Sequence, residues 1–204
     1  MSKIISISRE FGSGGREIGF RLAQKLGIPF YDKELITMAS EVSNISADLF
    51  HANDEVIAQK GHPANTYTPI NPFSPTYEIP VSDQLFVIQT KIIKQLAQNG
   101  PCVIIGRCSD MIVEDACKVF ICASMKKRIE RLMALEDDSS IDPKQMENRI
   151  RAIDKKRKEY YQYYTGNEWG KPKNYDICLN SGNLGIEACV EIIANLITKG
   201  DFQL

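Results

Sequence analysis

A short run of isoleucines, a cluster of glycines and an amphipathic helix follow one another at the start of the chain. That succession constrains the fold more than any other feature. Lys3 to Ser8 carries isoleucine at 4, 5 and 7 and reads as a buried strand. A glycine-rich turn follows, and Ile18, Leu22 and Leu26 then recur four apart, which predicts a helix from about Arg16 to Leu26 closed by Gly27. Glycines between a strand and a helix let backbone N–H groups curl around an anion at the helix N-terminus. The letters depart from the phosphate-loop pattern G-x-x-x-x-G-K-[ST]. With Gly14 as the last loop glycine, Gly15 stands where the lysine should be and Arg9 takes the first glycine's place. Arg16 comes one position later and can supply the missing charge, since a guanidinium clamps phosphate oxygens in pairs. A dinucleotide-binding turn is the rival, with Asp32 as the ribose-binding acid, but no G-x-G-x-x-G spacing can be drawn through Gly12, Gly14, Gly15 and Gly19.

The rest of the chain alternates short apolar strands with helices. A helix is expected to start near Asp32, and another to run from about Asp83 to Asn99 on Leu85, Ile88, Ile92 and Leu96. Cys102 to Ile105, Lys118 to Cys122 and Asp176 to Leu179 read as strands. Ser124 can cap the helix after the second of these. Asp142, Pro143 and Gln145 have the order of a capping box that opens a longer helix. Unalternating apolar strands separated by helices predict a parallel sheet covered on both faces, in one domain spanning 1–204. Ligands then bind where strands end and helices begin. Prolines 63, 69, 72, 75 and 80 break this order, so 45–80 is expected to be an irregular insert, serving as a lid or as an interface arm ordered by a second copy in a homo-oligomer.

Composition narrows the partners. With 25 basic and 26 acidic residues the formal charge is −1, and the basic excess of a nucleic-acid-binding chain is missing. No stretch approaches the ~20 apolar residues that span a bilayer, and charges interrupt the N-terminal run, so a cytoplasmic protein without membrane contact is expected. The six cysteines show no C-x-x-C spacing and are expected to be reduced, buried thiols. With only two histidines the chain offers almost no material for a zinc site, and no protein-bound metal is expected.

The arginines carry the chemistry. Arg107 stands just past the strand Cys102 to Ile105, aimed at the ligand crevice. Arg128 and Arg131 are three apart on one helix, and Arg151, Asp154 and Arg157 are spaced likewise on the next. Arg157 continues the apolar stripe of Met146, Ile150 and Ile153, so its charge needs an anionic partner, either Asp154 or a bound phosphate. Of nine arginines, all but Arg21 and Arg149 fall in these places or in the glycine turn. Phosphoryl transfer needs mainly positioning and neutralisation of charge, which converging arginines supply.

Together these segments resemble the cytidylate kinase-like family. The resemblance rests on Ile5 to Gly15, Leu26 to Asp32, Gly106-Arg107-Cys108, Val119 to Ser124, Arg151-x-x-Asp154-x-x-Arg157 and Asp176 to Ser181. It implies a three-layer P-loop nucleoside monophosphate kinase fold and the use of ATP and Mg²⁺. The acceptor it implies is a small-molecule nucleotide such as CMP or dCMP. It also implies that Gly12, Ser13, Gly14, Gly15, Arg16 and Glu17 hold the ATP phosphates and that Arg128 and Arg131, with Arg16, act on the transferring group. Asp32, Arg107, Arg151, Asp154 and Arg157 are the implied acceptor contacts. Four letters depart from true cytidylate kinases: Gly15 for the lysine, Glu17 for the magnesium-binding hydroxyl, and Cys108 and Cys122 for two aspartates. A kinase for another small metabolite, or a nucleotide sensor with weakened catalysis, are the alternative readings.

Overall fold

The computed structural model describes residues 4–43, 48, 80–135 and 142–198. The insert expected at 45–80 lies outside them apart from residues 48 and 80. In chain order the elements are β1 (Ile4–Arg9), α1 (Gly15–Leu26), β2 (Phe30–Tyr31), α2 (Glu34–Ser43), α3 (Val81–Asn99), β3 (Cys102–Ile105), α4 (Ser109–Ile112), β4 (Cys117–Cys122), α5 (Met125–Met133), α6 (Pro143–Thr165), β5 (Ile177–Asn180), α7 (Ser181–Leu184) and α8 (Ile186–Thr198). The strands form one parallel sheet in the order β2-β3-β1-β4-β5, as the unalternating apolar pattern predicts.

Strand β1 is central and both its faces are buried. Ile5 and Ile7 meet Ile18 and Leu22 of α1 and Val190 and Ile193 of α8. On the other face Ile4, with Ile104 of β3, meets Leu35 of α2 and Leu85, Ile92 and Ile93 of α3. Each such isoleucine contributes roughly 1.5–3 kcal/mol by leaving water, so the strand cannot slip by one residue without losing most of that. The first turn of α6 has the predicted capping box, with the Asp142 carboxylate accepting from the N–H of Lys144 and Gln145. Helix α2 starts two residues beyond Asp32, because the Glu34 carboxylate accepts the Asp32 N–H and leaves Asp32 in the turn before it.

The expectation of buried thiols needs correction at two positions. Cys178 is exposed and Cys122 only half-buried, since β5 is an edge strand and one of its faces is open. All six thiols are free, as expected. Among the described residues no helix is long and apolar enough to cross a membrane.

Candidate active site

The chain passes from β1 to α1 over the carboxyl end of the sheet, between neighbours β3 and β4. Gly12 and Gly14 have φ of +77° and +79°, a conformation open at little cost only to glycine, and this lets the chain turn back over its own strand. Side chains from three helices then fix the peptide planes. The Arg9 carbonyl accepts from Arg157 at 3.2 Å, that of Phe11 from Arg128 at 3.2 Å and that of Gly12 from Arg131 at 3.0 Å. The Ser13 carbonyl accepts from the Ser181 hydroxyl. The first bond of α1 runs from the Ile18 N–H to the Gly14 carbonyl, so the N–H groups of Gly15, Arg16 and Glu17 have no partner within the helix. The carbonyls are taken up by side chains of neighbouring helices, and amides are left at the helix mouth.

In front of this turn lies a cavity of about 790 Å³. Gly12, Gly14 and Gly15 form part of its wall together with Arg9, Arg16, Arg107, Arg131 and Arg157. Lys33 adds a sixth cation, against three carboxylates from Glu10, Glu17 and Asp32, so the space is electropositive. Phe11, Phe20, Leu132 and Leu135 give it an apolar side.

Asp32 organises one end of the cavity. It is 4% exposed and accepts from Arg16 Nε at 2.8 Å and from Arg107 Nη1 at 3.2 Å. Burial pushes its pKa up. The charges of Arg107 and Arg9 and the hydrogen bonds from Arg16 and Arg107 outweigh that and hold the carboxyl below its usual range. Arg107 itself is buried and points inward from a tight turn. Gly106, Arg107 and Cys108 have φ of +69°, +53° and +56°, and two consecutive non-glycine residues in the left-handed region store about 1–2 kcal/mol each.

The structure thus brings Gly12, Gly14, Gly15, Arg16, Glu17, Asp32, Arg107, Arg131 and Arg157 onto one cavity. Ser13 is fully buried and faces away, its hydroxyl donating to the Glu10 carbonyl at 2.8 Å. Three further residues are placed otherwise than expected. Arg128 is 5% exposed and does not line the cavity; it lies behind the loop, bound to Phe11 and Asp154. Asp154 spends both oxygens on Arg128 (2.5 Å) and on the Phe11 N–H (2.8 Å), so it faces the loop rather than a ligand and does not pair with Arg157. Arg151 is exposed and held by Glu147, one turn back on α6. Six positions along a helix turn through about 240°, so Arg151 cannot share the face of Arg157. Arg157 lies over the Phe11 ring, 5.7 Å from its centroid, and opens to the same cavity as Arg107. Sequence reasoning passed over Ser181 and the carboxylate of Glu10 (which accepts the Ala123 N–H at 3.0 Å), and it counted Arg9 among the converging arginines without giving it a role of its own. Only Arg9 had a visible signal, an arginine where the loop pattern has glycine.

Comparison with known proteins agrees with this architecture. A solved structure of an uncharacterized protein from Eubacterium ventriosum ATCC 27560 is similar at 25% identity, covering 96% of this chain and 98% of that one, with a TM-score of 0.69. Shikimate kinase from Bacteroides thetaiotaomicron shares the fold at 15% identity, with 97% and 99% of the chains covered and a TM-score of 0.55. Shikimate kinase from Acinetobacter baumannii, solved in complex with shikimate, shares it at 12% identity, with 100% and 97% covered and a TM-score of 0.54. Among curated proteins no match is found. The model of the cytidylate kinase-like family matches residues 4–183, most of the chain, and the protein belongs to that family.

Proposed function

We propose that this protein is a phosphotransferase that seats ATP against the glycine turn and passes its terminal phosphoryl group to a small anionic acceptor, a nucleoside monophosphate of the CMP or dCMP kind. The observation that carries the reading is the convergence of five arginines on a cavity walled by glycines at a helix start. A phosphoryl group in transit spreads negative charge over its oxygens, and fixed cations stabilise that charge most where water is scarce. In this reading the N–H groups of Gly15, Arg16 and Glu17 hold triphosphate oxygens. Arg131, anchored on the Gly12 carbonyl, faces the group in transit. Arg107 and Arg157 meet the acceptor's anion, and Asp32, ionised at neutral pH, fixes the angle between Arg16 and Arg107.

Magnesium fits this site as an ion carried in by the phosphates. Among the described residues no cluster of three or more acidic, histidine or cysteine ligands exists, but magnesium in such sites takes only one or two carboxylates and substrate oxygens. Glu17 and Glu10 are the carboxylates on the cavity that would hold it, and it would add charge neutralisation at the triphosphate.

One observation favours a second reading, a smaller acceptor that carries a hydroxyl beside an anionic group. Arg151 and Asp154, two of the five expected nucleotide contacts, do not reach the cavity. A coupled ADP-release assay over nucleoside monophosphates and small hydroxy acids separates the two, run beside ATP titration. Release that depends on CMP or dCMP supports the first reading, and release with a hydroxy acid alone supports the second. ATP binding with no release for any acceptor contradicts both and leaves a nucleotide sensor.

A further inference from the structure

The phosphate-loop pattern asks for glycine at the position of Arg9 and lysine at the position of Gly15, and this chain has the cation at 9, as arginine, and the glycine at 15. The structure gives the exchange a physical basis. Residue 9 ends β1 and residue 15 opens α1, and the two backbones run side by side. A Cβ on Gly15 would stand 2.5 Å from Cβ of Arg9, 3.1 Å from its Cγ and 3.3 Å from Cβ of Ile121. Arg9 pairs with Ile121 inside the sheet, so its Cβ cannot move aside. Only one of the two positions can carry a side chain, and here the side chain is on residue 9.

The arginine so placed lines the same cavity as Gly12, Gly14 and Gly15. Its charge is close enough to Asp32 to lower that carboxyl's pKa. Its peptide is fixed by Arg157, which donates to the Arg9 carbonyl at 3.2 Å. Arg16, the other candidate for the missing charge, is drawn to Asp32 at 2.8 Å with 60% of its side chain in solvent.

We infer that Arg9 is the triphosphate-binding cation of this loop, doing from the strand end what a lysine at position 15 would do from the helix start. The inference rests on the phosphotransferase reading above and adds the residue that completes it. A guanidinium binds phosphate oxygens in a fixed fork, whereas an ammonium acts as a point charge, so the exchange also changes the geometry of the contact.

The test is titration with ATP and with inorganic triphosphate, alongside thermal unfolding, of the wild type, Arg9→Met, Gly15→Lys and the double exchange Arg9→Gly/Gly15→Lys. Arg9→Met should keep its melting temperature and lose about tenfold to a hundredfold in affinity for both probes, the range for one charged hydrogen-bonding group. Gly15→Lys alone should melt lower, from the collision of the two side-chain stems. The double exchange should recover both the fold and triphosphate binding. If Arg9→Met binds ATP as the wild type does, or a folded double exchange fails to bind it, the inference is overturned and the phosphotransferase reading stands. A folded wild type that binds neither probe overturns both. Should the double exchange not fold, Arg9→Met decides alone.

Discussion

Asp154 and Arg128 form an ion pair at 2.5 Å that grips Phe11 of the glycine loop through the two peptides on either side of its Cα. The carboxylate accepts the Phe11 N–H, and the guanidinium donates to the Phe11 carbonyl. Two helices, α5 and α6, are thereby tied to the loop and to each other. Removing one partner of a buried pair leaves the other charge uncompensated, and Asp154→Ala should cost about 3 kcal/mol, the lower end of the usual range because Asp154 keeps some exposure. Arg151→Ala, three residues away on the same helix, should cost less than about 0.5 kcal/mol, because its pair with Glu147 is exposed. Urea unfolding of both variants checks this. Equal losses would mean that the pair does not hold the loop.

Gly14→Ala tests the loop's backbone. The added Cβ would meet the tip of Ile186 at 2.4 Å, but a side-chain tip can swing away. The φ of +79° cannot be relieved so easily, and about 1–2 kcal/mol of stability should go with it. Thermal unfolding with ATP titration should show a modest fall in melting temperature and a large loss of ATP binding, since the same peptide leads into the helix mouth. Unchanged ATP affinity would remove the loop from the binding site.

Much of this was legible in the sequence, and what was missed has a common cause. The strand–glycine–helix succession, the capping box at Asp142 and the inward aim of Arg107 depend on local patterns, and the structure has all three. Arg128, Asp154 and Arg151 depend on which way a helix is rotated against a neighbour distant in sequence. Three-residue spacing says that Arg151 and Asp154 are near one another but not which of them meets the loop. Ser181 reaches the Ser13 carbonyl across 168 positions, and nothing in its local sequence marks it. Arg9 was visible as a broken pattern, but its meaning needed the distance between two Cβ positions.

Two buried carboxyls should give opposite pH dependences. The Asp32 pKa is lowered in the fold, so its contribution is present at neutral pH and is lost as pH falls below the unfolded value of about 4. The Asp110 pKa is raised by burial, only partly offset by the hydroxyl of Tyr161 at 2.7 Å, and its Oδ1 has no hydrogen-bond partner. Its contribution is therefore full below about pH 4 and is lost as pH rises through the higher folded value. Asp32→Asn should be less stable than the wild type near neutral pH, with the gap closing in acid. Asp110→Asn should gain on the wild type as pH rises. Denaturant unfolding across this range checks both, and parallel curves for the two variants would contradict the assignment.

Cys108 stands where true cytidylate kinases have an aspartate, yet restoring that letter should not raise turnover with CMP. The residue is 3% exposed and packs against Tyr160 and Tyr161, away from the cavity. An aspartate there would be a buried carboxylate, and Cys108→Asp should lose about 2–3 kcal/mol at neutral pH and less in acid. ADP release should show no new dependence on CMP. A stable variant whose CMP-dependent turnover exceeds the wild type's would place residue 108 at the acceptor.

The central claim is that the amides at the mouth of α1 bind the phosphates of ATP, and amide hydrogen exchange measures this directly. With ATP the N–H groups of residues 12 to 17 should exchange more slowly, and with adenosine at the same occupancy they should not. ATP binding that protects other segments while leaving 12 to 17 unchanged would contradict the account.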